Sequence, residues 1–240
     1  MMLGKIFNAI LGGFLKSGFN DTVNKMEDVV VSSTIDIYMK ITDELRPTPA
    51  KFHYLFNLRD VSKVVQGILM CKPVSIQNPE SLGRLWINEM LRVFHDRLIN
   101  NEDRLWFTHN LHELVQRGFR LNIEHDDLFI KERVMFGDLL KLDAPVKLYE
   151  EITNKDKLKK VLMGMLEDYN ITCPTKMNLV FFDDAIEHIL RIARVLRQPR
   201  GNIMLIGVGG SGKQSLTRLA SYLLEQAFKN VEITKGFGSE

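Results

Sequence analysis

Apolar residues recur at three- and four-residue spacing along most of the chain, which is the pattern of amphipathic helices. This spacing predicts helices over residues 29–45, from about residue 57, from residue 79, around residues 106–118, over 157–169 and over 183–197. Polar residues mark several starts, since Asn57 precedes Asp60 by three positions and Asn78 precedes Pro79. The segment Arg46-Pro47-Thr48-Pro49 ends the first long helix, and Gly118 is the expected end of a later one. Residues up to about 122 therefore predict an all-helical unit.

The pattern changes near the C-terminal end of the chain. Asn202 to Ile206 is a short apolar run typical of a buried parallel strand, and a glycine-rich loop follows it. We then expect a helix to about Phe228 and a strand over Val231 to Thr234. The fold class predicted is mainly α with an incomplete α/β domain. The expected domains are a helical unit over 1–122, a connecting helical segment over 123–177, and the N-terminal part of a parallel-sheet subdomain over 178–240.

Composition narrows the classes of function. The chain has 240 residues, 45% of them hydrophobic and 26% charged, which is typical of a folded globular protein. Its formal net charge of +2 gives no electrostatic reason to propose nucleic acid or anionic lipid as a partner. The two cysteines have neither metal-ligand nor disulfide-framework spacing, and no apolar stretch is long enough to span a membrane. The apolar residues of the first twenty positions are expected to form a core helix or loop.

One segment matches the G-x4-G-K phosphate-binding loop. Its residues are Gly207, Val208, Gly209, Gly210, Ser211, Gly212, Lys213, Gln214 and Ser215. Glycines let successive backbone N–H groups turn toward a phosphate, and the following helix points its positive end at the same anion. Lys213 is expected to reach the β- and γ-phosphates. The apolar run before the loop and the amphipathic helix after it support this interpretation. The incomplete α/β domain over 178–240 is therefore predicted to be a P-loop nucleotide-binding subdomain.

The loop departs from the common pattern at one position. The residue after the lysine is usually Ser or Thr, whose hydroxyl binds Mg²⁺, but here it is Gln214 and the hydroxyl follows on Ser215. We therefore expect Mg²⁺ to involve Gln214 or Ser215, and nucleotide binding is favoured over rapid hydrolysis.

Two other groups have simpler explanations. The run from Leu179 to Asp184 looks like the acidic Mg²⁺-binding strand of such ATPases, but it precedes the loop, so Asp183 is expected to cap the next helix instead. His109 and His112 lie one helical turn apart beside Glu113, which would begin a metal site only with further ligands. A pair on a helix surface is the expected arrangement.

Longer motifs resemble the axonemal dynein heavy chains. Gln198-Pro199-Arg200-Gly201-Asn202, followed by the loop and then Leu216-Thr217-Arg218-Leu219-Ala220, resembles their fourth AAA+ module. Asn178 to His188 is similar as well, and Phe56-Asn57-Leu58-Arg59-Asp60 resembles the helical lid of the third module. The resemblance also accounts for Gln214, because that family's fourth loop has the same Gly-Lys-Gln-Ser sequence.

The resemblance implies a segment of a microtubule-based ciliary motor. Residues 1 to about 122 would be the lid of module three, with Arg59 matching the lid arginine that faces the nucleotide of its own module. Val180 and Phe181 would lie against the adenine of ATP or ADP, and the loop would form a regulatory nucleotide site. Implied partners are the other AAA+ modules, dynein intermediate and light chains, and microtubules, in the cytoplasm and the axonemal cytoskeleton of cilia or flagella. The acidic strand, the main hydrolytic site, the stalk and the microtubule-binding tip are expected outside residues 1–240.

Two alternatives remain at this point. A short product of a dynein-like gene would fold as a helical scaffold and bind ring subunits without using nucleotide. A free-standing P-loop kinase or ATPase is disfavoured because no acidic strand follows the loop to bind Mg²⁺. The chain alone is not expected to hydrolyse ATP.

Overall fold

The computed structural model describes residues 2–131 and 133–231, and the chain divides into two compact units, residues 1–153 and 154–240. The N-terminal unit is built mainly from helices. They are α1 (Met2–Leu15), α2 (Asp21–Asn24), α3 (Glu27–Glu44), α4 (Leu58–Ile68), α5 (Pro79–Val93) and α6 (Asn101–Leu114). A short 3₁₀ turn (His95–Arg97) and two π-helical turns (Val115–Phe119 and Asp127–Lys131) complete it. Within the described residues, no helix combines the length and apolar character needed to cross a membrane.

The predicted helix starts are confirmed by their capping hydrogen bonds. The side chain of Asn57 accepts from Arg59 N while Asp60 accepts from Asn57 N, which forms a capping box at α4. Asn78 accepts from Ser81 N at α5, directly before Pro79. The first long helix, predicted over 29–45, is α3 and begins two residues earlier. The apolar N-terminal segment forms α1, whose inner face is part of the core.

A two-stranded antiparallel hairpin closes the N-terminal unit. Strands β1 (Phe136–Gly137) and β2 (Glu150–Glu151) pair so that Phe136 lies opposite Glu151. Next to β2, the buried Tyr149 hydroxyl donates to the Glu89 carboxylate of α5 over 2.8 Å. Glu151 pairs with Arg84 of the same helix at 2.6 Å. These contacts attach the hairpin to α5, and Val134 before β1 and Phe136 within β1 extend the helical core.

The C-terminal unit contains α7 (Lys155–Thr172), α8 (Asp183–Arg197) and α9 (Lys213–Leu223). Each helix contributes apolar side chains to its core, including Leu162 from α7, Ile189 from α8 and Leu219 from α9. The helices predicted over 157–169 and 183–197 are confirmed, and α7 begins at an Asn154 cap whose side chain accepts from Lys157 N. The amphipathic spacing of these segments thus places them correctly.

Two predicted helix ends and one predicted helix cap were wrong. Gly118 does not end its helix, because the backbone continues through a π-helical turn to Phe119 and reverses at Arg120, which has a left-handed φ of 56°. Asp183 does not cap α8: the cap position is Phe182, and the Asp183 carboxylate instead pairs with Lys155 at 3.1 Å. The helix after the loop ends at Leu223 and not near Phe228, since Glu225 adopts a left-handed φ of 57°.

The predicted parallel strand over Asn202–Ile206 is absent from the described structure. Its side chains are largely exposed, with Met204 at 82% and Ile206 at 88%. A strand needs the backbone hydrogen bonds of a neighbouring strand, and within residues 2–131 and 133–231 none pairs with this segment. Val231 is not in a strand either, and the rest of the strand expected over 231–234 lies outside the described residues.

Candidate functional site

The glycine-rich loop turns sharply into α9 in the C-terminal unit. Gly210 and Gly212 have φ values of +76° and +79°, a left-handed conformation that residues with a Cβ atom rarely adopt. Gly212 is also the N-cap residue, directly before the first residue of α9. The glycines at these two positions are therefore required by the backbone conformation, independently of any ligand.

Lys213 folds back over the loop. Its Nζ donates to the carbonyl oxygens of Gly207 at 2.8 Å and Val208 at 2.7 Å, and lies 3.0 Å from the Ser211 hydroxyl oxygen. These three contacts bring together both ends of the loop predicted from the sequence. The ammonium group thus lies within the turn, where it would contribute positive charge to a bound phosphate.

The first turn of α9 has the properties of an anion-binding site. Gly212 supplies no side-chain cap, so the first N–H groups of α9 receive no acceptor from the cap residue. Such groups and the helix dipole favour an anion at the N-terminus. Of the two candidate Mg²⁺ ligands at this turn, Gln214 is exposed and Ser215 half-buried.

The two residues expected at the adenine lie just before α8 and differ in accessibility. The Val180 side chain is 80% exposed, whereas that of Phe181 is buried in the core of the C-terminal unit. Val180 therefore has surface available for contact with a base. Phe181 supports the start of α8 through core packing.

Arg59 belongs to the N-terminal unit and lies in the first turn of α4. It is exposed, and its backbone N–H donates to the Asn57 side chain over 2.9 Å. The neighbouring Asp60 is buried and pairs with Arg97 at 2.9 Å. The buried pair and the capping box fix the start of α4, while the Arg59 side chain remains accessible.

Sequence spacing alone did not predict the exposed Phe52 and Leu55, which lie in the segment leading to α4.

The two histidines considered as a possible metal site have a third histidine beside them. The His109 ring stacks on His125 with centroids 4.5 Å apart, and His112 meets the same ring edge-on at 5.7 Å. Backbone carbonyls hold two of the rings, since a His109 nitrogen contacts Leu105 O and a His112 nitrogen contacts Ile123 O, each at 2.7 Å. Throughout the described residues, no group of three or more His, Cys, Asp or Glu side chains is arranged to hold a metal ion. The sequence had no spacing signal for His125, which comes from a separate segment.

Comparisons with known proteins identify two families of domain in the chain. Residues 177–240 match the family model described as the P-loop containing dynein motor region D4. Residues 7–104 match the model for the dynein heavy chain ATPase lid domain. The two matches are to the segments that contain the loop and Arg59 respectively.

Curated relatives match along nearly the whole chain. Human dynein axonemal heavy chain 6 is 46% identical over 237 residues, which is 98% of this chain and 6% of that protein. Rat dynein axonemal heavy chain 1 is 46% identical over 213 residues, or 89% of this chain and 5% of the relative. Human dynein axonemal heavy chain 1 is 40% identical over 245 residues. The chain thus spans about 6% of the length of the curated relatives it matches. By this similarity and by its two domain matches, the chain belongs to the axonemal dynein heavy chain family and corresponds to a small segment of such a heavy chain.

Proposed function

We propose that the segment contributes an ATP- or ADP-binding loop to a microtubule-based ciliary motor. The observation that supports this most directly is the arrangement at residues 207–215, where a left-handed glycine turn, an uncapped helix start and a lysine ammonium converge. Each of these features favours a bound phosphate. The match of residues 177–240 to the P-loop containing dynein motor region D4 agrees with the proposal.

The loop is proposed to act as a regulatory site and not as the main hydrolytic one. Gln214 replaces the usual Mg²⁺-binding hydroxyl, so Mg²⁺ would be held by the Gln214 amide oxygen or by the Ser215 hydroxyl, in part through water. A less direct metal contact weakens stabilisation of the charge that develops during phosphoryl transfer. Nucleotide binding would then change the conformation of the loop without rapid hydrolysis of the nucleotide.

The remaining residues have proposed roles that depend on a complete AAA+ module. Val180 would contact the adenine, with Phe181 supporting the same segment from the core. Arg59, exposed at the start of α4, would face the nucleotide of the module to which the lid belongs. The apolar segment 202–206 would become a strand of a parallel sheet when neighbouring strands pair with it. Other AAA+ modules, dynein intermediate and light chains, and microtubules are the proposed partners, in the axoneme of cilia or flagella.

Amide hydrogen exchange of the intact native chain that contains residues 1–240 tests the proposal. Peptides covering residues 207–215 should exchange more slowly in millimolar Mg-ATP or Mg-ADP than without nucleotide. Lys213→Ala should abolish this protection, because it removes the cation that binds the phosphates. Lys159→Ala, which changes an exposed lysine of α7, is the matched control and should leave the protection intact.

The same variants separate nucleotide binding from a scaffold function. A scaffold would co-purify ring subunits equally well with Lys213→Ala, and its loop would show no nucleotide-dependent exchange. Absence of protection in the unmodified chain at millimolar nucleotide would reject the proposed site.

A further inference from the structure

The Lys213 ammonium has three N–H donors, and the three contacts within the loop account for all of them. The acceptors are the carbonyl oxygens of Gly207 and Val208 and the hydroxyl of Ser211. To donate to a phosphate oxygen, the ammonium must give up at least one of these partners. Nucleotide binding to the loop therefore includes the free-energy cost of breaking one of these hydrogen bonds, and the cost depends on which partner Lys213 releases.

The Ser211 contact is the one most easily exchanged. At 3.0 Å it is the longest of the three, whereas the two carbonyl contacts measure 2.8 and 2.7 Å. The carbonyl groups are part of the backbone turn, but the Ser211 hydroxyl is exposed and moves by rotation about one side-chain bond. A phosphate oxygen carries negative charge and would form a stronger hydrogen bond with the ammonium than a neutral hydroxyl does.

We propose that Ser211 is a positioning residue that holds Lys213 in a retracted arrangement and so lowers the affinity of the empty loop for nucleotide. This inference rests on the proposed nucleotide-binding function of residues 207–215. On this view the hydroxyl stabilises the nucleotide-free loop, and Lys213 leaves Ser211 when it moves to the β- and γ-phosphates.

The residue at position 207 leaves room for this arrangement. A Cβ atom on Gly207 would lie 3.0 Å from the Ser211 Oγ and 3.6 Å from the Lys213 Nζ. The first of these distances is tighter than side chains normally tolerate, so any larger residue would displace the Ser211 hydroxyl. Glycine at this position is thus compatible with a Ser211–Lys213 contact that alanine would disturb.

A nucleotide titration of the intact native chain tests the proposal, with exchange protection of residues 207–215 as the local measure of Mg-ADP binding. Ser211→Ala should lower the half-saturating Mg-ADP concentration by about threefold to tenfold, because the empty loop loses one hydrogen bond to a charged group at an exposed site. Ser211→Thr retains the hydroxyl and should bind like the unmodified chain. General structural damage weakens binding and therefore cannot produce the expected lower midpoint. An unchanged or raised midpoint for Ser211→Ala, with Ser211→Thr like the unmodified chain, would overturn the inference.

A second measurement reports on the empty loop alone. Without nucleotide, Lys213 of the Ser211→Ala chain should react faster with an acetylating N-hydroxysuccinimide ester than Lys213 of the unmodified chain. The Lys213 rate in Ser211→Thr should match that of the unmodified chain. Lys159 is the internal control and should react equally in all three chains. Equal Lys213 labelling in the Ser211→Ala and unmodified chains would contradict the retracted arrangement. Failure of the proposed function is distinguishable, because it appears as no Mg-ADP protection in the unmodified chain whatever the labelling rates.

Discussion

The indole N–H of Trp86 on α5 donates a hydrogen bond to the hydroxyl of Thr34 on α3 over 2.8 Å, and both side chains are buried. The same hydroxyl donates to Val30 O at 2.6 Å, so Thr34 both accepts and donates inside the core. A buried indole N–H requires a partner, because burial without one costs free energy. The contact joins α3 and α5, which are distant in sequence, so the buried polar Thr34 helps to specify how these two helices pack in the core.

Replacing Thr34 with valine should destabilise the N-terminal unit. The shape is nearly conserved, but the Trp86 N–H loses its acceptor, for which we expect a loss of about 1–3 kcal/mol in the free energy of unfolding. Thr34→Ser keeps the hydroxyl and should cost less. Urea unfolding followed by tryptophan fluorescence measures the difference, since both tryptophans, Trp86 and Trp106, lie in this unit. A Thr34→Val chain as stable as the unmodified one would show that the hydrogen bond adds nothing.

The buried carboxylate of Asp60 should contribute more to the free energy of unfolding than the exposed Lys63 that contacts it. Its oxygens accept from Asn57 N at 3.0 Å and from the Arg97 guanidinium at 2.9 Å, and the side chain is 2% exposed. Asp60→Asn leaves Arg97 without its anionic partner, and we expect a loss of about 2–3 kcal/mol in unfolding free energy. Lys63, which also contacts Asp60 but is 54% exposed, provides the control: Lys63→Ala should cost less than about 1 kcal/mol. Equal losses for the two variants would count against this ranking.

The helix starts could be predicted from sequence because their signals are local. Asn57 and Asn78 each accept a hydrogen bond from the first turn of the helix that follows, as their position before an apolar repeat indicates. Asn154 does the same for α7, which begins two residues before its predicted start at residue 157. The end of α6 could not be predicted this way. Gly118 suggested a stop, but a Cβ there would lie 3.1 Å from Val29 Cγ1 and 3.2 Å from Ser33 Oγ, so glycine permits close packing against α3 and the reversal falls at Arg120.

The candidate site shows the same division between local and distant information. The glycine turn and the lysine within it follow from the order of residues 207–213, and the structure brings Gly207, Val208 and Ser211 around Lys213. The strand predicted before the loop depends on partners elsewhere in a sheet, which no local pattern supplies. The His125 contact with His109 is likewise set by how the segment after α6 packs, and no spacing rule predicts it.

The two cysteines should differ strongly in reactivity. Burial raises the pKa of the Cys71 thiol to about 12, because a thiolate would be desolvated there, while Cys173 is only half-buried. At pH 8 only about one Cys71 thiol in ten thousand would be ionised, and the thiolate is the reactive form. Iodoacetamide should therefore alkylate Cys173 at least about tenfold faster in the native chain, with mass spectrometry locating the label. In urea the two rates should converge, and preferential native labelling of Cys71 would contradict its burial.

The raised pKa of Cys71 also predicts a pH dependence of stability. The folded pKa of about 12 lies above the ordinary value of 9.0, so the unfolded chain loses this proton first as the pH rises. The contribution of the protonated Cys71 thiol to the free energy of unfolding is fully present below pH 9 and is lost progressively between pH 9 and 12. Unfolding free energies should fall more steeply over this range in the unmodified chain than in Cys71→Ala, which lacks the group. Parallel pH profiles would exclude this effect.

Residues 1–240 expressed alone should self-associate through the segment before the glycine loop. Met204 and Ile206 are both exposed, and the described residues provide no strand that pairs with their backbone. An unpaired apolar strand is a template for pairing with another copy, which covers both its side chains and its hydrogen-bonding groups. We expect sedimentation velocity to show oligomers that become larger with concentration.

Matched substitutions locate the surface responsible. Ile206→Thr should shift the distribution toward monomer, because it removes apolar surface from the unpaired segment. Ile171→Thr removes a similar side chain, 84% exposed, from the end of α7 and should leave the distribution unchanged. A concentration-independent monomer for the unmodified chain would contradict self-association. An equal effect of the two substitutions would instead indicate that exposed apolar surface in general, and not the segment before the loop, drives it.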